Sequence, residues 1–337
     1  MMKAMSIFLF ISFFILSACS QKADKSPITE EVKRDSTIVV HEEEKKAELS
    51  LNDIKIEKEL LYDKYTLDDV YPYKDTTRVF QWDKIRERLL FLESVQQEAT
   101  SWAILQNYKN RNKEAPLIKK YHRDEYNLVA DSFGVARYQS VPLYHLNDSV
   151  TPERYGRDGS LVKYIGDNGN FIKVSGVSFD GEWLVPKRYV KQIGDTITYK
   201  KAIFVDVTNQ NITTLEKVNS TWYIRSMNPA TTGQHRPPYQ HETPLGLFVI
   251  QEQKPKMIYL VDGSTETGGF SPHASRFSNG GYIHGVPVNA PRTSLIEYSQ
   301  TLGTTPRSHM CVRNATSHAK FIYDWAPVNR SVVFVIN

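Results

Sequence analysis

Ser308-His309-Met310-Cys311-Val312-Arg313-Asn314 sets a thiol between an imidazole and a guanidinium. A thiol is a nucleophile only as thiolate, and its free pKa is about 8.5, so neighbouring groups decide whether it reacts. His309 lies two residues before Cys311 and Arg313 two residues after it, and on an extended strand those alternate positions share one face. Upstream, Tyr282-Ile283-His284-Gly285-Val286-Pro287 reads as an apolar strand that ends on a histidine before a glycine and a proline turn the chain. A histidine leaving a strand end is placed to face a thiol on an adjacent loop.

Outward from this centre, residues 200–337 are strand-rich. Ala202–Val207, Trp222–Ser226, Leu247–Gln251, Met257–Val261, Gly281–His284 and Val332–Ile336 alternate or run apolar, while Ser294–Gln300 and Ser317–Trp325 are short helix candidates. Residues 130–196 also read as short strands, separated by turns such as Asp167-Asn168-Gly169-Asn170. The run Gly181-Glu182-Trp183-Leu184-Val185-Pro186 through Tyr189-Val190 resembles the end of bacterial SH3-like domains. Within 76–128, Ile85, Leu89, Leu92, Ala99 and Trp102 recur on one face of a helix, with Asp75-Thr76-Thr77 as capping residues before it. The expected fold is mainly β: a tether over 19–75, a helical segment over 76–128, a small SH3-like barrel over 130–196 and a β-rich domain with short helices over 198–337.

The chain has 337 residues, which allows two or three domains at about 100–200 residues each. Its 42 Lys and Arg against 38 Asp and Glu leave a formal charge of +4. That is mildly basic, with no concentrated basic stripe, so no nucleic-acid partner is expected. The two cysteines exclude a disulfide framework and any zinc site of several thiolates. The histidines outside the thiol's surroundings have no ligand spacing, so no metal and no cofactor are expected.

The first cysteine belongs to an address. Lys3 precedes the apolar stretch Ser6–Leu16, which is too short to span a bilayer and suits a signal peptide over 1–18. Leu16-Ser17-Ala18-Cys19 resembles the bacterial lipobox, which implies acylation of Cys19 and attachment to a membrane surface through lipid. Residues from 20 onward, including His41-Glu42-Glu43-Glu44-Lys45-Lys46, read as the solvated tether. Cys311 then remains as the lone thiol of an envelope protein that faces the periplasm, on the outer membrane since Ser20 offers no Asp-type retention signal.

Taken with Pro229-Ala230-Thr231-Thr232-Gly233 and Thr243-Pro244-Leu245-Gly246-Leu247-Phe248, the His284 strand and the Cys311 motif resemble the L,D-transpeptidase catalytic domain of the YkuD type. The resemblance covers about residues 200–337. It implies a cell-wall enzyme in which Cys311 forms a thioester on the third residue of a peptidoglycan stem peptide. The terminal D-residue is released and the acyl group passes to an amine, on a second stem peptide or on a protein. It implies His284 as general base, oriented by the carbonyl of Gly285. His309, Ser308 and Met310 surround the thiol, and backbone N–H groups at Met310 and Cys311 offer an oxyanion hole. Arg313 and Asn314 are expected to hold substrate, the guanidinium gripping a carboxylate. Two departures stand out. Met310 occupies the position of the family's glycine, and the interval 285–307 is longer than usual, as if inserted across the mouth of the site. The same thioester delivered to water would make an L,D-carboxypeptidase or endopeptidase, and a degenerate site would leave a wall-binding lipoprotein. Papain- or NlpC-like hydrolases fit worse, since they place cysteine before histidine in the chain.

Overall fold

The computed structural model describes residues 48–98, 101–195 and 197–337, and these fall in one compact unit. The expected signal peptide, Cys19 and the charged run through Lys46 lie outside the described residues.

A six-stranded sheet forms the centre, in the order Lys55–Lys58, Thr221–Pro229, Asn211–Val218, Lys201–Asp206, Ser331–Ile336 and Gly246–Val249. Lys201–Asp206 and Ser331–Ile336 pair in parallel, with Phe204 opposite Phe334. Successive side chains on a strand point to opposite faces, and both faces here are covered, so these strands read as apolar runs. Phe204, Val332 and Phe334 join Ile85, Leu89 and Leu92 of helix α1 (Trp82–Glu98) on one face. Ile203, Val205, Val333 and Val335 join Ile322 and Trp325 of helix α2 (Thr316–Trp325) on the other, together with Ile283 and Val312. The strand that ends on the histidine and the strand that follows the cysteine are thus held against the central sheet by their own apolar residues.

Two further sheets of five strands each accompany it, along with three two-stranded ribbons. One is antiparallel, in the order Glu182–Pro186, Phe171–Gly176, Leu161–Asn168, Trp102–Leu105 and Val190–Gly194. The other orders Glu252–Leu260, Thr267–Ser278, Gly281–His284 and Val312–Arg313, with Val288–Asn289 paired to Thr267–Ser278.

Several local expectations change. Lys55–Lys58, expected in the tether, adds a parallel edge strand to Thr221–Pro229, because Ile54 buries itself and Ile56 packs on the core beside it. The α1 pattern stops at Glu98: Trp102 fits the helical spacing, yet Trp102-Ala103-Ile104-Leu105 is an apolar run buried throughout, and it forms a central strand instead. Thr76–Val79 is a strand paired with Val70–Tyr73, so α1 is not capped by Asp75-Thr76-Thr77. Ser294–Gln300 is not helical. Its backbone is held from outside, where Ile296 O and Glu297 O accept from Thr316 Oγ1 and Thr316 N at 2.6 and 2.8 Å.

Candidate active site

Parallel pairing of Gly281–His284 with Val312–Arg313 sets Ile283 beside Val312 and His284 beside Arg313. Ile283 and Val312 turn into the core, so the alternate positions His284, Cys311 and Arg313 face away from it, into one cavity of about 590 Å3. Tyr298, Thr301 and Leu302 form part of its wall, so the long 285–307 interval does border the site.

His284 is 2% exposed, and its Nδ1 lies 2.6 Å from the carbonyl of Gly285. A carbonyl can only accept, so Nδ1 carries the proton and Nε2 is left with its lone pair. Burial first, then the nearby positive Arg313, holds this imidazole down to about 4, against the opposing pull of the Gly285 carbonyl. Cys311 is 9% exposed, and its thiol donates to Gly280 O at 3.5 Å. Burial pushes the thiol above its ordinary value, while a backbone contact from Tyr282 and the charge of Arg313 pull it back. At neutral pH the pair therefore rests as thiol and imidazole. Arg313 lines the cavity with its Nε buried and without a partner.

The loop before the cysteine is fastened from several sides. Ser308 Oγ donates to Cys311 O, and Ser308 N to Thr232 O at 3.1 Å. Thr231 and Arg313 exchange backbone hydrogen bonds of 3.0 and 2.8 Å. Thr243 Oγ1 accepts from Gly233 N at 2.8 Å and donates to Met310 O at 2.7 Å. Gly233 runs so close that a Cβ there would sit 2.7 Å from Met310 Cα. The two threonine- and glycine-containing stretches noted in the sequence are thus the cradle of the cysteine loop. Met310 itself has φ +95°, in the region that favours glycine. His309 points outward, its Nε2 2.9 Å from Asp262 Oδ2 and 3.3 Å from Gln240 Nε2.

Asn314 is fully buried beneath the site and does not line the cavity. Its Nδ2 donates to Val312 O at 3.2 Å, and its Oδ1 lies 3.2 Å from Nδ1 of the buried His318.

Asp158 was not anticipated from the sequence. Its buried carboxylate accepts from Arg276 Nη1 at 2.5 Å, Gln251 Nε2 at 3.0 Å, Asn279 N at 3.0 Å and Asn107 N at 2.8 Å. It therefore ties the 157–160 turn to the turn whose Gly280 carbonyl receives the thiol. No local spacing signals a contact across 121 residues. Thr243 stands in the sequence as one residue of the Thr243–Phe248 motif, and nothing local marks Asp262.

No curated protein matches the chain. Similar solved structures include an L,D-transpeptidase from Mycobacterium tuberculosis, at 16% identity over 54% of this chain and 92% of that one, TM-score 0.34. Another is an L,D-transpeptidase from Mycobacterium smegmatis, at 16% identity over 51% and 79%, TM-score 0.33. A third is a fused Zn-dependent amidase/peptidase/peptidoglycan-binding domain-containing protein from Clostridium acetobutylicum, at 20% identity, TM-score 0.30. The match covers 40% of this chain and 51% of that protein, so the chain spans about half its length. The histidine strand, the threonine cradle and the cysteine loop all fall within residues 200–335, and that segment matches the L,D-transpeptidase catalytic domain, YkuD.

Proposed function

We propose that this protein is a peptidoglycan L,D-transpeptidase with Cys311 as nucleophile and His284 as general base. The observation that carries the reading is the strand pairing that delivers both side chains to one cavity, with His284 Nδ1 committed to Gly285 O. Committing Nδ1 leaves Nε2 as the one ring nitrogen able to take a proton.

The chemistry balances without redox or cofactor. Cys311 Sγ attacks the carbonyl on the L-centre of the third stem residue, and the thiol proton passes to His284 Nε2. The oxyanion faces the backbone N–H groups of Met310 and Cys311, which donate to no loop carbonyl among the described residues. The carbon–nitrogen bond breaks, and His284 returns the proton to the departing amine of the terminal D-residue. An amine then adds to the thioester and gives its proton to His284. The carbon–sulfur bond breaks and the proton goes back to sulfur. Arg313, half-buried beside Cys311 with a buried, unpaired Nε, offers a fork for a carboxylate of the acyl donor. His309 and Ser308 act on the loop's shape: Ser308 ties to Cys311 O, and His309 to Asp262.

The place of action proposed with it is the bacterial envelope. Lipid at Cys19 would anchor the chain, with the described unit facing the periplasm from the outer membrane. Cys19→Ala is then expected to abolish the acyl mass and move the protein out of the membrane fraction.

Product analysis with a disaccharide-tetrapeptide substrate tests the activity. Cross-linked dimer joined through two third residues is the expected product. Tripeptide alone would make the protein a carboxypeptidase, and neither product from folded protein would leave a wall-binding lipoprotein.

A further inference from the structure

Behind the nucleophile loop lies a second cavity, of about 970 Å3. Residues between 128 and 160 line one part of it, and residues 238–245 with Met310 line another. The first part lies outside the segment 200–335 that matches the catalytic domain.

Two guanidiniums border this space, those of Arg154 and Arg157. Among the described residues, neither is in an ion pair or gives a guanidinium hydrogen bond, and Arg154 Nε is buried without a partner. The guanidinium carbon of Arg154 sits 4.0 Å from the centroid of the Phe133 ring, with the Phe179 and Trp183 rings at 5.5 and 5.9 Å, contacts that hold the cation without hydrogen-bonding it. Two of the three acids whose charge reaches these arginines are already taken, and the third, Asp180, is exposed and forms no ion pair with Arg154 among the described residues. Asp131 accepts from the backbone N–H groups of Phe133, Val135 and Tyr155 at 2.9, 2.8 and 3.0 Å. Glu242 pairs with His235 at 2.9 Å. A guanidinium withdrawn from water is costly unless an anion meets it, and burial already weighs against the charge of both arginines. The position of the cavity is equally telling. His309 lines both cavities, and Gly280, whose carbonyl receives the Cys311 thiol, lines this one. The cysteine's own cavity has its own guanidinium in Arg313. A chain held there has no need of Arg154 or Arg157.

We propose that the second cavity is a carboxylate-binding site in which Arg157, with Arg154 beside it, holds the amine-bearing acceptor strand. A planar guanidinium matches a carboxylate with two parallel hydrogen bonds, so the ligand class is a peptide with a free carboxylate. The assignment of that peptide as acceptor rests on the transpeptidase reading above, whereas the carboxylate site itself does not.

The probe is a stem tripeptide with free carboxylates, compared with the same tripeptide fully amidated. Lacking the terminal D-residue, it has no leaving group and cannot act as donor. Calorimetry on Cys311→Ala protein is expected to show the free tripeptide binding about tenfold to a hundredfold more tightly than the amidated one. Arg157→Gln removes that preference, and Arg157→Lys restores part of it. With active protein and a tetrapeptide donor, Arg157→Gln is expected to raise the KM for the tripeptide acceptor by a similar factor. Equal affinity for the free and amidated probes in protein with Arg157 intact overturns the site, even if Arg157→Gln does not fold. An equal fall in thioester formation without acceptor overturns the acceptor assignment. Failure of the active protein to form any thioester, with tripeptide binding that still requires Arg157, contradicts the transpeptidase reading and leaves the site standing.

Discussion

Met310 holds φ +95°, a backbone region that an L side chain occupies at a cost of about 1–3 kcal/mol. Its carbonyl is fixed by Thr243 and its backbone is pressed by Gly233, so the surroundings enforce the angle. Met310→Gly is expected to raise stability by about 1 kcal/mol net of the glycine's added freedom when unfolded, read as a higher urea midpoint with unchanged slope. A lower midpoint would mean that the methionine side chain contributes more than the strain costs. The buried histidines set the acid behaviour. Burial holds His284 to about 4 and His318 to about 3, both below the ordinary 6.5, so the folded protein keeps them neutral where the unfolded chain takes up protons. Stability is complete above pH 6.5 and falls as the pH drops towards these values. At about 1.4 kcal/mol per pH unit for each histidine, the two together remove about 4 kcal/mol by pH 5. His318→Gln, which cannot charge, is expected to reduce that loss by about half. For the reaction itself, single-turnover acylation should stay level down to about pH 5 and lose rate only below it. An acid limb near 6.5 would show His284 to be less buried than the structure has it. The strand-end imidazole of His284 and the thiol of Cys311 between polar neighbours could be singled out from the sequence because their signals are local, whereas the part of the Gly285 carbonyl rested on the family resemblance. Asp262, Thr243 and Asp158 could not be singled out, because each acts on a partner at least 47 residues away.

Helix α1 and the Asp158 network show what holds the site's elements in place. Leu89 is fully buried between α1 and the central sheet, so Leu89→Ala is expected to cost about 2–5 kcal/mol in unfolding free energy. Asp158 and Arg276 form an ion pair of 2.5 Å with side chains 0% and 7% exposed. Removing one partner strands a buried charge, so Asp158→Ala is expected to cost about 3–5 kcal/mol. It also frees the Asn279 N–H and loosens the turn whose Gly280 carbonyl holds the thiol. Thioester formation should therefore slow at a temperature where the variant is still folded, and an unchanged acylation rate there would reduce Asp158 to a stabilising role. Elements with clear periodicity, such as α1, Ser331–Ile336 and most of α2, were readable. The end of α1 was not, because Trp102 satisfies the helical spacing while its apolar neighbours are those of a buried strand. Ser294–Gln300 misled because its shape is set by Thr316 on another element and not by its own periodicity.

Across the whole molecule, consecutive stretches of chain do not map onto separate layers. Lys55–Lys58 completes the sheet that holds residues 201–336, and Trp102–Leu105 completes the sheet of residues 161–194. Trp102, Ile104 and Leu161 share a core cluster with Phe204 and Phe334. Sequence composition marked 19–75 as charged and 130–196 as strand-rich, but composition cannot show that a short strand crosses to a distant sheet. A fragment of residues 198–337 would expose the apolar face that α1, Trp102 and Ile104 cover. It is expected to aggregate or bind hydrophobic dye, whereas residues 46–337 should unfold in a single cooperative transition by calorimetry. Independent folding of the shorter fragment would show the interleaved contacts to be dispensable. The thiol chemistry is open to a single experiment, intact-mass spectrometry of residues 46–337 after brief exposure to disaccharide-tetrapeptide. The expected adduct equals the substrate less its terminal D-residue, maps to Cys311, is absent in Cys311→Ala and forms far more slowly in His284→Ala. A folded protein that stays unmodified, or an adduct that survives in Cys311→Ala, would contradict the thiol chemistry.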